Sequence, residues 1–150
     1  MISPEPIFSI RCEVANILDL GPAPFGHRRV VNLLGGTVSG TKLSGRIVPG
    51  GADWQIMAAD GALDIHARYT IESDAGALIQ VDSRGLRNGP PDVMARLSRG
   101  EDVDPALYYF RTVMRFTTAH PSAAWLNRIL ALAKGAREKN AVKLDVYEVL

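Results

Sequence analysis

The stretch whose reading decides the fold is PGGADWQIMAADGALDIHARY, residues 49–69. Two runs, Asp53 to Ala58 and Ala62 to Glu72, flank Asp60-Gly61, a dipeptide suited to a tight hairpin because its glycine accepts positive φ. In the second run Leu63, Ile65, Ala67, Tyr69 and Ile71 share one face; Asp64, His66, Arg68 and Thr70 share the other. One apolar and one polar face, repeating every second residue, is the pattern of an antiparallel strand. The pattern leaves open where the polar row looks. It faces water in an ordinary half-wet sheet. In a polar-lined barrel it faces the lumen, and a helix or a second subunit covers the apolar outside.

The same rhythm continues in both directions. Phe8 to Leu18 alternates; Gly21-Pro22-Ala23-Pro24 reads as a loop. Arg29 to Val38 is a strand crossed by Gly35-Gly36, a pair that signals a bulge or bend. Leu43 to Val48 ends at a Pro49-Gly50-Gly51 corner, and Ala77 to Arg87 follows the turn at residues 73–76. Asn88-Gly89-Pro90-Pro91 then stops the strands. A short helix is predicted within PPDVMARLSRG, with Pro91 at its first position and Gly100 as its stop. Tyr108 to Thr118 is a strand rich in aromatic and β-branched residues, Pro121 to Leu126 a helical turn, and Ile129 to Ala136 and Val142 to Val149 the last two strands. Some eight to ten strands, mostly joined by short links, in 150 residues favour antiparallel neighbours. The expected fold is all-β: one antiparallel, up-and-down, lipocalin-like barrel over residues 1–150 with one short helix.

Composition narrows the function classes. Hydrophobic residues make up 47% of the chain, charged residues 22%, and the formal net charge is +1, so nothing argues for a nucleic-acid or membrane partner. No apolar run reaches the ~20 residues of a membrane-spanning helix, and the first residues lack the pattern of a secretory signal; a soluble, cytoplasmic protein is expected. Cys12 is the single cysteine, and the three histidines lack metal-ligand spacing, so no metal is expected. No glycine-rich loop opens a long helix and no Gly-x-Ser-x-Gly elbow occurs; the expected cofactor set is empty.

Several segments, in order, resemble a known family: GGTVSG at 35–40, GRIVPGGADWQ at 45–55, ARYTIESDAGALIQVDSRG at 67–85, YYFRT at 108–112 and FTTAHPSAAWLNRI at 116–129. The family is the domain of unknown function 3237, or uncharacterised protein family 0311. The resemblance spans nearly the whole chain and implies an antiparallel β-barrel with a small helix; it implies no particular reaction. Two places depart from the family pattern: Thr41-Lys42, where a proline is common, and Ala123-Ala124 before Trp125, where a tyrosine is common. Pocket-lining positions there would change ligand size or specificity.

Candidate site residues follow from the polar faces. In YYFRTVMRFTT, Tyr109, Arg111, Val113 and Arg115 alternate with Tyr108, Phe110, Thr112 and Met114. If Arg68 and Arg111 face each other across a lumen, two guanidiniums there favour a carboxylate, phosphate or enolate-like oxyanion. The competing reading pairs each with a nearby surface carboxylate; the family resemblance adds weight to Arg111. Asp53, just past the corner, is either a general base or a turn-former. Trp54 and Trp125 offer flat walls, Tyr69 and Tyr109 hydroxyl donors, and Asn127 an amide, each against a plain packing or capping role. The leading expectation is a barrel binding a small anionic or carbonyl-bearing organic ligand as a cofactor-independent isomerase, cyclase or lyase. In it Asp53, Arg68 and Arg111 are catalytic, and Trp54, Tyr69, Tyr109, Trp125 and Asn127 bind the ligand. The alternatives are a carrier or sensor of a small hydrophobic or aromatic ligand, and a structural oligomerisation domain. A homo-oligomer is expected, because a polar-lined barrel must cover its apolar exterior.

Overall fold

Nine segments with alternating faces become nine strands in a computed structural model that describes residues 1–150. They are β1 (Phe8–Val14), β2 (Leu18–Ala23), β3 (Gly26–Ser39), β4 (Gly45–Met57), β5 (Leu63–Ser73), β6 (Leu78–Asn88), β7 (Tyr109–Thr117), β8 (Ala131–Arg137) and β9 (Ala141–Glu148). Strands β3 to β9 form a meander, each antiparallel to the next, and β1 pairs with both β9 and β3. Eight strands thus close into an up-and-down barrel, and β2 lies outside the circle, paired to β3 alone. The expected all-β barrel is the observed one. No helix is long and apolar enough to cross a membrane.

Local differences have physical reasons. The loop expected at Gly21-Pro22-Ala23 belongs to β2, where Pro22 sits opposite His27. Proline lacks a ladder N–H, and an edge strand tolerates its absence. Residues 43–48 and 53–58, expected as two strands, form one bent strand. The register shifts between Val48 and Ala52 on β4, and between Asn32 and Gly36 on β3 directly opposite, so the two strands bend together. Gly50, with φ of 117°, supplies the backbone conformation that the bend demands.

The two ends of the barrel are filled differently. At one end Phe8, Ile47, Ile71, Ile79, Val81, Met114, Ala131 and Val146 are between 0% and 1% exposed. The Phe8 and Phe116 rings meet edge-on there, with centroids 6.0 Å apart. A 3₁₀ segment over Pro121–Arg128 covers this end with Ala123 and Leu126. The other end carries helix α1 (Pro91–Ser98), with Pro91 in its first turn and Val93, Met94 and Leu97 buried. Ser98 of α1 accepts a 3.2 Å hydrogen bond from Arg29 Nη1 of β3. Between the two plugs the barrel is not solid.

Candidate functional site

The inner faces of all eight barrel strands line one cavity between helix α1 and the packed end. The space open to the centres of water molecules is about 50 Å³. Its wall is divided. Strands β9, β1 and β3 contribute Val142, Leu144, Ile10, Cys12, Val14, Val31 and Leu33, all apolar. Strands β4 to β8 contribute Asp53, Gln55, Tyr69, Ser83, Arg87, Thr112 and Arg137 among a few apolar neighbours.

The polar wall is built as a chain. Arg29 Nη2 and Nε donate to Gln55 Oε1 at 2.7 and 3.1 Å, and Gln55 Nε2 donates to Asp53 Oδ2 at 2.8 Å. Gln55 is therefore engaged on both sides and holds the Asp53 carboxyl in place. The Arg137 guanidinium is fixed by the carbonyls of Glu138 and Ala141, at 2.8 and 3.2 Å, and its backbone N–H donates to Tyr108 Oη at 2.8 Å. Arg87 lies with its guanidinium carbon 5.6 Å from the Phe110 ring centroid.

Four buried polar atoms have no partner in the protein: Asp53 Oδ1, Tyr69 Oη, Arg87 Nε and Thr112 Oγ1. All four belong to residues that line this one cavity. Buried polar groups in native proteins are nearly always paired, so a convergent set of orphans marks a place where something else supplies partners.

Burial sets the proton affinities. It raises the Asp53 carboxyl above the ordinary aspartate value of 3.8, outweighing the Gln55 hydrogen bond and the charges of Arg87 and Arg29. Burial, with Arg137 and Arg29 alongside, pushes Arg87 down to about 10. Burial also drives the Tyr69 hydroxyl far upward, so it stays a neutral donor. A stability prediction follows for Asp53. The folded state binds its proton more tightly than the unfolded state, so stability declines as pH rises from the unfolded carboxyl's pKa through the raised folded one. Asp53→Asn keeps an acceptor for Gln55 and removes that decline. Urea melts at pH 3.5 to 7 are expected to show a shallower decline in the variant and a higher stability than wild type at pH 7. A steeper decline would show that the carboxylate is the favoured form in the fold.

The polar row of residues 64–70 faces outward. Arg68 stands on the outer wall, 3.6 Å from Asp82, with His66 and Arg84 also around that carboxylate at 3.2 and 3.5 Å. Arg111 is on the outer face of β7 and donates to the carbonyl of Phe110 at 2.9 Å. The expected meeting of Arg68 and Arg111 inside the lumen is thus corrected. Both share the parity that points away from Ile65, Tyr69, Phe110 and Thr112, whose side chains fill or line the interior. Trp54 and Tyr109 are half-exposed on the outer wall, the latter beneath the Arg111 guanidinium at 5.3 Å. Trp125 packs against the edge of the core at the solid end, with Lys42 Nζ 5.4 Å from its ring. Asn127 exchanges two hydrogen bonds with the backbone of Thr118, at 2.9 and 2.8 Å, and ties the 3₁₀ segment to β7. Of the candidates, the structure brings together Asp53 and Tyr69. Lys42 and Ala123, two of the family-divergent positions, sit at the solid end and outside the cavity lining.

Sequence reasoning missed Arg29, Gln55, Arg87 and Arg137. Each stands on the inward parity of its strand: Arg29 with Val31 and Leu33, Arg87 with Val81 and Ser83, Arg137 with Ala131 and Ala133, and Gln55 with Asp53. The signal that points to the three arginines is a charge on the apolar parity near a strand end, which is costlier than a charge on the polar parity and therefore more informative.

The class that this fold and site define is a closed antiparallel β-barrel with a polar-apolar internal cavity. The chain belongs to the family described as protein of unknown function DUF3237, whose model matches residues 2–149. A UPF0311 protein of Rhodopseudomonas palustris is 39% identical over 144 residues, 96% of this chain and 94% of the relative. A crystal structure of a conserved protein of unknown function from the same species superposes with a TM-score of 0.92 at 37% identity, covering 100% of this chain and 98% of the other. A β-barrel-like protein of Acinetobacter baumannii gives 0.84 at 39% identity, covering 99% and 96%. A protein of Penicillium herquei described as an enzyme shares the fold, with a TM-score of 0.72 at 18% identity and coverage of 99% and 95%.

Proposed function

We propose that this barrel takes a small anionic or carbonyl-bearing organic molecule into its cavity and moves a proton on it, as a cofactor-independent isomerase, cyclase or lyase. The observation that carries this reading is the convergence of Asp53 Oδ1, Tyr69 Oη, Arg87 Nε and Thr112 Oγ1, all unpartnered, on one space. A carboxyl whose proton affinity is raised by burial is a stronger base than an exposed aspartate and is suited to accept a proton from carbon and return it. Donors fixed around the same space stabilise the oxyanion that forms when that proton leaves. The roles therefore fall on Asp53 as base, Arg87, Tyr69 and Thr112 as oxyanion donors, and Gln55 with Arg29 as the positioning pair behind Asp53. The Penicillium herquei protein's description as an enzyme agrees with a catalytic use of this barrel.

The test is hydrogen–deuterium exchange at the α-carbon of small enolisable ketones in heavy water, followed by NMR. Wild-type protein and Arg46→Ala, which alters an exposed ion pair with Glu72, are expected to exchange at equal rates. Asp53→Asn is expected to lower the enzyme-dependent rate by at least about 100-fold, the scale set by removing a general base. Ligands that raise the melting temperature without any Asp53-dependent exchange would instead make the protein a carrier or sensor.

A further inference from the structure

Resting on the cavity reading above, we propose that the natural occupant carries its own negative charge. It is an organic anion of the carboxylate type, seated with its charged end on Arg87 and its apolar body against β9, β1 and β3. Three guanidiniums face the interior, those of Arg29, Arg87 and Arg137, each residue between 3% and 8% exposed. One carboxyl, that of Asp53, shares the cavity wall with Arg87 and Arg137, while Arg29 stands behind it on Gln55. None of these four groups takes part in a salt bridge: every ion pair of the chain lies among other residues. Three positive charges against at most one negative leave a surplus of two or more in a medium of low dielectric constant, an arrangement that invites an anion.

The hydrogen bonds single out where it sits. Arg29 is taken up by Gln55 and Ser98, and Arg137 by two backbone carbonyls. The Arg87 side chain makes no hydrogen bond within the protein, and its Nε is sealed from water. A buried guanidinium presents a planar fork of donors, and a carboxylate is its matching acceptor. The hydroxyls of Tyr69 and Thr112 line the same space and are unpartnered, so they supply neutral donors to the same oxygens. The opposite wall offers only apolar side chains from Ile10 and Cys12 round to Leu144, which suit a hydrocarbon body. The free space of about 50 Å³ is that of a short-chain acid rather than of a polycyclic compound.

Propionate and its neutral near-isostere propionamide separate the charge from the shape. Cys12 lines the cavity and reports its occupancy through the rate of labelling by methyl methanethiosulfonate, read by mass spectrometry at constant ionic strength. Propionate is expected to halve that rate at a concentration at least tenfold below propionamide. Arg87→Met is expected to abolish the preference, and Arg87→Lys, which keeps the charge but not the fork, to retain part of it. Equal protection by the two ligands overturns the inference while leaving the cavity reading standing, and so does a preference that survives Arg87→Met. Failure of propionate, propionamide, benzoate and benzamide alike to protect Cys12 overturns the cavity reading and the inference with it.

Discussion

Arg87→Met is expected to raise the stability of the ligand-free protein by about 1–4 kcal/mol, the range seen when buried charges give way to well-packed apolar groups of similar volume. Most buried arginine replacements do the opposite, so the sign is the informative part. The guanidinium has no carboxylate partner and no hydrogen bond in the protein, and it shares the lumen with two like charges. Methionine fills nearly the same length and brings a thioether to the Phe110 ring, so that sulfur–aromatic packing stands where the cation–π pair was. Urea unfolding monitored by tryptophan fluorescence measures the change. A drop of several kcal/mol would show that the guanidinium is satisfied within the empty protein, and the case for an anionic guest would fall. Higher stability together with a weakened ligand response is the signature of a group kept for binding at a cost to the fold.

The second large effect lies at the solid end. Phe8→Ala is expected to cost about 3–5 kcal/mol, the usual range for a fully buried phenylalanine. Phe8 is 1% exposed, stands edge-on to Phe116, and sits on β1, the strand that closes the cylinder against β9 and β3. The neighbouring side chains belong to different strands and cannot collapse into the void without breaking register. Urea unfolding checks this as well, with a midpoint shift at unchanged slope expected. A cost under about 1 kcal/mol would mean that the packed end relaxes far more freely than interiors of this density do. Val31→Ala, on the cavity wall, is expected to cost less than Phe8→Ala because its inward side already borders open space.

How far the sequence spoke for itself differs between fold and site. Residues 62–72 and 109–117 alternate without interruption, and each is one strand in the structure. The bends at residues 33–35 and 48–51 were legible as glycine signals, but the signals do not say that both lie opposite each other and curve one continuous pair. The second strand was hidden because Gly21 and Pro22 are turn residues in most settings and are tolerated here only at an edge. For the site, periodicity separates two faces without stating which one looks inward. Arg68 and Arg111 drew attention because they stood among polar neighbours, which is where a surface charge belongs. Arg87 and Arg137 stood among apolar ones. The cost of putting a charge there made them the better candidates, and that is an argument from energy rather than from pattern. Asp53 was found because it followed a corner, and Tyr69 because it carried a hydroxyl.

Closure leaves the molecule with almost no free backbone. Eight strands each have a neighbour on both sides around the circle, and the outer margin of Leu18–Ala23 is the one strand edge without a partner strand. That margin is six residues long, contains Pro22 and is kinked at Gly21, where φ is 74°. Strand-by-strand polymerisation, the ordinary hazard of a protein this rich in extended chain, has a single docking point here, and it is a poor template. Ladder extension between copies is thereby confined to that short margin, and the rest of the barrel's flank offers side chains alone.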